Sequence, residues 1–160
     1  MKYPKVKFTA AGDMLIQRMI STEYEGFSEV RDYISKADVH FFNLETTLHH
    51  GEFFGNQFYG GSFLHADPAV LNIAKAYGFN MLSFANNHTM DFGTQGFNDT
   101  KNTLKKNKIS YCIGSTIAYK NVKGVKIAFV GFNALNGVTE QLVDRIVLNL
   151  IQLYSLFIIS

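Results

Sequence analysis

The residues best suited to chemistry in this sequence are carboxylates, amides and a histidine that follow apolar segments. Asp13 follows VKFTAAG, Glu45 follows ADVHFFNL, and the run Asn86, Asn87, His88 follows FNMLSFA. Carboxylate oxygen, amide oxygen and imidazole nitrogen together suit a hard or borderline divalent cation such as Mn, Mg, Fe or Zn. Such a metal lowers the pKa of a bound water and polarises a phosphoryl or carbonyl oxygen. The pattern therefore predicts a metal-dependent site.

His88 has two roles open to it at such a site. Its imidazole could bind the metal, or it could protonate a leaving group, and the sequence does not separate the two. Asp91 lies three residues further on and could orient His88 by accepting its second ring N–H. We therefore take His88 and Asp91 together as candidate catalytic residues.

Each of these residues, taken alone, also has a purely structural explanation. Asp13 could end a strand in an Asx-turn, and Glu45 could be a capping or surface carboxylate. Asn87 and His88 could form a loop held by local side-chain bonds, and Asp91 could only begin a helix. The functional interpretation depends on their conjunction rather than on any one of them.

The other histidines are weaker candidates. His65 precedes a well-marked helix and could face the predicted metal-dependent site, although a structural role is equally compatible with its position. His49 and His50 stand beside a glycine and an acid, where a solvated loop is the favoured interpretation.

Alternating strand and helix patterns predict the elements that position these residues. Short apolar segments predict strands at 5–12, 37–45, 79–85 and 109–114, and a hairpin within 117–132 that turns near Lys123 and Gly124. Helical spacing predicts helices over 27–36, from Asp67-Pro68 to Gly78, and from Gly93 onward. This order is typical of an α/β fold with a mainly parallel sheet and flanking helices. Because the carboxyl ends of parallel strands share one edge, the candidate residues should meet there.

Composition narrows the class of protein. The 160 residues are 47% hydrophobic and 18% charged, which is typical of a globular domain with a substantial core. A formal net charge of +2 is too small to indicate nucleic-acid binding. The one cysteine, Cys112, excludes an internal disulfide and a cysteine-based metal cluster, and its place in a predicted strand indicates a buried thiol.

The two ends of the chain differ in character. Residues 1–135 are predicted to form the domain, and 136–160 an apolar helix or tail of divergent character. No charged segment followed by an apolar one marks a signal peptide at the start. The apolar stretch from Ile146 is shorter than a bilayer span requires. We therefore expect a cytoplasmic location, or membrane association through the tail.

Four motifs resemble, in order and spacing, the CapA family of poly-γ-glutamate capsule biosynthesis proteins. They are GDML (12–15), NLETTL (43–48), ANNHTMDFGTQG (85–96) and VKIAFVGF (125–132). The resemblance implies a calcineurin-like metallophosphoesterase fold, of which this chain would be the first half of an α/β/β/α sandwich.

The resemblance also implies roles for individual residues. It makes Asp13, Glu45, Asn87 and His88 metal ligands, with His88 beside the scissile group, and it leaves Asn86 and His65 as candidate substrate-binding residues.

The family's later HWG and GHxH/HPH histidine motifs have no counterpart after residue 133. The chain is therefore expected to be a C-terminally truncated or frame-altered copy, or to take further ligands from a second subunit. The implied function is a CapA-like, metal-dependent hydrolase of phosphoester type. Its expected partners are a polyanionic polymer or phosphoester substrate and capsule-synthesis membrane proteins. The alternatives are a non-catalytic polymer- or partner-binding component and an inactive truncated domain.

Overall fold

The computed structural model describes residues 4–51, 55, 61–114, 116–133, 140–153 and 156–159. The strands are β1 (Phe8–Met14), β2 (Val39–Leu44), β3 (Thr47–Leu48), β4 (His65–Ala66), β5 (Met81–Ser83), β6 (Ser110–Cys112), β7 (Ala118–Val122), β8 (Val125–Val130) and β9 (Leu156–Ile159). The helices are α1 (Ser28–Ile34), α2 (Val70–Ala76), α3 (Gly93–Lys106) and α4 (Glu140–Leu153), with 3-10 turns at Glu25–Phe27 and Asn87–Met90.

The central sheet has four strands in the order β1-β2-β5-β6, and all three pairings are parallel. Helices connect these strands, as parallel strands require. The predicted α/β fold with a mainly parallel sheet is therefore confirmed. A short parallel pair, β3 and β4, lies apart from the central sheet, and β7, β8 and β9 form a third sheet.

The central strands are apolar because both faces of the sheet are covered. In β2, Phe42 and Leu44 point to a core that includes residues of α2 and α3, while Val39 and Phe41 point to the opposite face. Ile127 and other residues of the β7–β8 hairpin pack on that second face. Successive strand residues face opposite sides of a sheet, so a strand buried on both faces becomes a continuous apolar run.

Local sequence signals explain how α2 begins and ends. The Asp67 carboxylate accepts a hydrogen bond from the Ala69 N–H at 2.7 Å, and Pro68 follows it at the start of the first turn. Gly78 has φ +94°, a conformation that glycine adopts without strain, and it stops the helix one residue beyond Tyr77. The predicted helix is confirmed, although its regular part begins at Val70.

The β7–β8 hairpin turns where the sequence predicts it. Lys123 and Gly124 both have positive φ, 53° and 81°, and the Asn121 side chain accepts the Gly124 N–H at 3.1 Å. Positive φ at both central residues is the geometry of a tight two-residue hairpin turn. The turn thus fixes the antiparallel register of β7 and β8.

Residues 136–160, predicted as an apolar helix or tail, include a helix and a strand, and the strand was not predicted. Helix α4 ends at Leu153, and β9 then pairs in parallel with β8. Within the described ranges, no helix has both the length and the apolar character needed to cross a membrane.

Candidate functional site

Three strands end together at one edge of the central sheet. Asp13 of β1 is the register partner of Asn43 in β2, and Asn43 is the partner of Ser83 in β5. The register of β1 shifts between Ala10 and Asp13, an irregularity that re-aims the side chain beyond it. The predicted end of the first strand at residue 12 was wrong, because parallel pairing with β2 resumes after the shift and places Asp13 inside β1.

A hydrogen-bonded chain of side chains joins these strand ends. Asn43 donates from Nδ2 to Asp13 Oδ1 at 2.9 Å, and Asn86 donates from Nδ2 to Asn43 Oδ1 at 3.1 Å. Asn86 also donates to the Leu44 carbonyl at 2.8 Å. Sequence reasoning did not single out Asn43, although its place at the end of an apolar strand, directly before Leu44-Glu45, was a usable signal.

Asn86 also shapes the turn that carries the histidine. Its Oδ1 accepts the His88 N–H at 3.0 Å, and its own N–H donates to Thr89 Oγ1 at 3.1 Å, which forms a capping box on the 3-10 turn. Both the oxygen and the nitrogen of the Asn86 side-chain amide are therefore hydrogen-bonded within the protein, and the side chain positions the turn. Asn87 is exposed beside it at the rim. Substrate binding by Asn86 and metal binding by Asn87 stay predictions.

His88 and Asp91 form the contact that their spacing predicts. The distance from His88 Nδ1 to Asp91 Oδ2 is 2.7 Å, and the two side chains are 20% and 5% exposed. Asp91 Oδ2 also accepts the Leu64 N–H at 2.7 Å, which ties the pair to the residue before β4. An ionised carboxylate only accepts, so in this contact the proton lies on His88 Nδ1, and Nε2 is the nitrogen with the lone pair when the ring is neutral.

Glu45 is the least satisfied acid of this edge. Its Oε2 is buried and has no hydrogen-bond partner among the described residues. Burial raises the pKa of Glu45, and the charges of Asp13 and Asp91 raise it further, while His88 opposes this effect. A buried carboxylate oxygen near two other carboxylates is an environment that a cation would stabilise.

The donor types at this edge fit a divalent cation, but the geometry supplies only part of a site. Across the residues that the structure describes, no three side chains of His, Cys, Asp or Glu lie close enough together to hold one ion. Asp13 and Glu45 are the carboxylates at the sheet edge, and two amides, of Asn43 and Asn86, stand in the bonded chain between strands.

The remaining histidines lie around β3 and β4. His65 is exposed, and its ring stacks on His49 with centroids 5.1 Å apart and contacts Phe92 at 5.3 Å. The expectation of a solvated loop at His49 was wrong, since its side chain packs against Phe92 at 4.7 Å and only 4% of the residue is exposed. The short β3–β4 pair, which the sequence did not reveal, buries it. His50 is exposed and its Nδ1 lies 3.2 Å from an oxygen of Asp67.

Several known proteins are similar to this chain in sequence. The family model described as bacterial capsule synthesis protein PGA_cap matches residues 7–146. The protein y4sH of Sinorhizobium fredii is 34% identical over 104 residues, which is 62% of this chain and 23% of that protein. The capsule biosynthesis protein CapA of Bacillus anthracis is 35% identical over 77 residues, or 43% of this chain and 18% of that protein.

A further relative is the PGA biosynthesis protein CapA of Bacillus subtilis, 33% identical over 82 residues, or 46% of this chain and 22% of that protein. The chain thus spans less than a quarter of the length of each of these relatives. The family match covers most of the chain and includes the whole sheet edge described above. The chain therefore belongs to the bacterial capsule synthesis protein PGA_cap family, and its resemblance to CapA is confirmed.

Proposed function

We propose that this chain acts in poly-γ-glutamate capsule synthesis and carries a metal-dependent hydrolase site at the edge of its central sheet. The observation that carries the proposal is the buried, unpartnered Oε2 of Glu45 among the described residues, beside the charges of Asp13, Asp91 and His88. A purely structural cluster would be expected to satisfy that oxygen, because an unmade bond at a buried polar atom is costly.

Asp13 and Glu45 are the residues that would hold a divalent ion of the Mn, Mg, Fe or Zn class, with Asn87 as a further ligand at the rim. Asp13 has one oxygen committed to Asn43, and its other oxygen is not used in a hydrogen bond to another described residue. An ion held there would supply an activated water and a polarised phosphoryl or carbonyl oxygen.

His88 serves in this proposal as the proton donor to the leaving group. Asp91 holds the ring by its Nδ1–H, which leaves Nε2 to carry the transferred proton. Asp91 also stabilises the imidazolium, the form of the ring that can donate. The Asn86 capping box fixes the backbone of His88 and thereby the direction of the ring.

The proposal is tested first by metal binding. Titration calorimetry with Mn²⁺ should show binding by the wild-type chain and a loss of about tenfold or more in affinity for Glu45→Gln, in the range typical of changes at metal sites. Asp32→Asn is the matched control, because Asp32 is an exposed acid on α1, and it should bind Mn²⁺ like the wild type. Equal affinity of wild type, Glu45→Gln and Asp32→Asn would overturn the metal site.

Activity is tested separately with p-nitrophenyl phosphate and γ-linked polyglutamate as substrates. His88→Ala should lower kcat by about 10²- to 10⁴-fold, the usual contribution of a general acid. Hydrolysis at the wild-type rate by His88→Ala would remove the catalytic role.

A non-catalytic polymer-binding component is the second candidate. It is favoured by the mutual satisfaction of Asp13, Asn43 and Asn86, which a structural network would also show. Polyglutamate binding that survives both chelation and Glu45→Gln would support this candidate over the hydrolase.

A further inference from the structure

An open crevice lies beside the candidate site, between the segment that follows β1 and the start of β4. Its volume is about 680 Å³. It is lined by Leu15, Ile16, Gln17, Arg18, Ile20 and His65. We propose that this crevice is a subsite for an oxyanion, a carboxylate or phosphate group of an acidic substrate, held by Arg18 and His65.

Arg18 is the charged group of the crevice. Its side chain is exposed, and it makes no ion pair or hydrogen bond with any residue that the structure describes. The planar guanidinium has five N–H donors and matches the two oxygens of a carboxylate or phosphate. No acidic side chain lines the crevice among the described residues, so its lining offers no competing partner to the guanidinium.

His65 is the second donor, and its ring is held by packing. The ring stacks on His49 and meets Phe92 edge-on, while neither ring nitrogen is used in a hydrogen bond to another described residue. The nearest acid along the chain, Asp67, is engaged by the Ala69 N–H and by His50. The His65 imidazole is thus oriented by its neighbours and available to an incoming oxygen.

A short chain segment and a hydrogen bond connect this crevice to the candidate site. Arg18 lies five residues after Asp13, and His65 directly follows Leu64, whose N–H is bonded to Asp91. A substrate whose reacting bond lies near His88 could therefore place an acidic group in the crevice. The inference rests on the proposed function in this respect. It also removes an electrostatic difficulty, because an anionic substrate approaching Asp13, Glu45 and Asp91 needs cationic groups nearby.

The test is equilibrium binding of two probes, inorganic phosphate and γ-linked triglutamate, measured by calorimetry at low ionic strength without added metal. Arg18→Ala and His65→Ala should each weaken binding by about tenfold or more, since each removes a hydrogen bond to a charged group. Lys106→Ala is the matched control, because Lys106 is an exposed cation on α3, and its affinity should stay within about twofold of the wild type. Tighter binding of triglutamate would assign the subsite to a carboxylate, and tighter binding of phosphate to a phosphoryl group.

The inference is overturned if the wild type binds neither probe, or if Arg18→Ala and Lys106→Ala bind alike. Circular dichroism checks the fold of each variant. If Arg18→Ala does not fold, Arg18→Lys decides, because it keeps the charge but loses the bidentate fork and should weaken binding about threefold or more. Wild-type affinity in Arg18→Lys would then overturn the inference.

The outcome is separable from that of the proposed function. Mn²⁺ affinity in Glu45→Gln reports on the metal site, whereas oxyanion affinity in Arg18→Ala reports on the crevice. Loss of oxyanion binding in Arg18→Ala, with unchanged Mn²⁺ binding in Glu45→Gln, would leave the subsite standing and reject the hydrolase.

Discussion

Replacing Asp91 by Asn should destabilise the protein, whatever its function. One oxygen of Asp91 accepts both the His88 Nδ1–H and the Leu64 N–H, each at 2.7 Å, and the side chain is only 5% exposed. An asparagine whose Oδ1 takes the place of that oxygen can still accept both bonds, but it lacks the negative charge. Two charge-assisted bonds at a buried site therefore become neutral ones.

The expected size follows from these contacts. A hydrogen bond to a charged group contributes about 1.5–3 kcal/mol and a neutral one about 0.5–1.5 kcal/mol, so each of the two bonds is weakened by about 1–1.5 kcal/mol. We expect the free energy of unfolding of Asp91→Asn to fall by about 2–3 kcal/mol. For a chain of this length, each kcal/mol lowers Tm by roughly 2–4 °C, so Tm should fall by roughly 4–12 °C.

The same chain supplies a matched control in its exposed histidine–aspartate pair. His50 and Asp67 lie 3.2 Å apart with side chains 74% and 50% exposed, and exposed pairs contribute about 0–1 kcal/mol. Asp67→Asn also keeps an oxygen for the Ala69 N–H, since Asn caps turns as well as Asp does. Urea unfolding of both variants should therefore separate them by about 1–2 kcal/mol or more.

A double-mutant cycle with His88→Ala isolates the pair. Without the imidazole, Asp91→Asn weakens only the bond from the Leu64 N–H, and its cost should shrink by about 1 kcal/mol or more. The reasoning is refuted if Asp91→Asn destabilises no more than Asp67→Asn, or if its cost is the same with and without His88.

Three further results are expected. Gly131→Ala should lower the free energy of unfolding by about 1–3 kcal/mol in thermal melts, because a Cβ there would lie 2.7 Å from Ser83 Oγ. Gly12→Ala should be nearly neutral, because a Cβ there would meet nothing within 4 Å. Equal effects of the two substitutions would contradict this packing. Burial raises the pKa of the Cys112 thiol to about 12, so a maleimide at pH 8 should label the chain only in denaturant, and rapid labelling of folded chain would disprove the burial. The pKa of Asp38 is lowered by Lys123, whose Nζ lies 2.8 Å from its carboxylate, and by a backbone N–H. The ionised acid therefore stabilises the fold above about pH 4, and this contribution is lost as the pH falls. The difference in Tm between wild type and Asp38→Asn should shrink below about pH 4, and a constant difference would contradict the prediction.

The strength of local signals decided how much of the fold was predictable. The alternation of apolar strand segments with helical segments predicted the parallel sheet, and the pair Lys123-Gly124 predicted the hairpin turn. Both predictions depend on short-range patterns in the sequence. The β3–β4 pair was missed because each strand has two residues, too few to show a period. Strand β9 was missed because its short apolar run comes soon after the apolar end of α4, and such a run does not distinguish a strand from a helix.

The candidate site was predictable in its location more than in its contacts. The convergence of Asp13 with the Asn86 turn follows from the rule on parallel strand ends, and the His88–Asp91 contact follows from their spacing. Asn43 could have been found from its place at the end of an apolar strand, but the β1 irregularity could not be predicted, because a register shift depends on the partner strand. The metal ligands predicted from the sequence, Asp13, Glu45, Asn87 and His88, stay a prediction; among the described residues no three side chains of His, Cys, Asp or Glu form a group that could hold an ion.

The hydrogen bonds of Asn86 couple the turn that carries His88 to the end of β2. The Asn86 side chain accepts the His88 N–H within the turn and donates to Asn43 and to the Leu44 carbonyl at the end of β2. Local opening of the turn should therefore also break its bonds to β2. The backbone amide protons of His88 and Thr89 should therefore exchange with deuterium through a shared opening event, with closely similar protection factors. If the proposed reaction takes place at this edge, one shared opening event would control it.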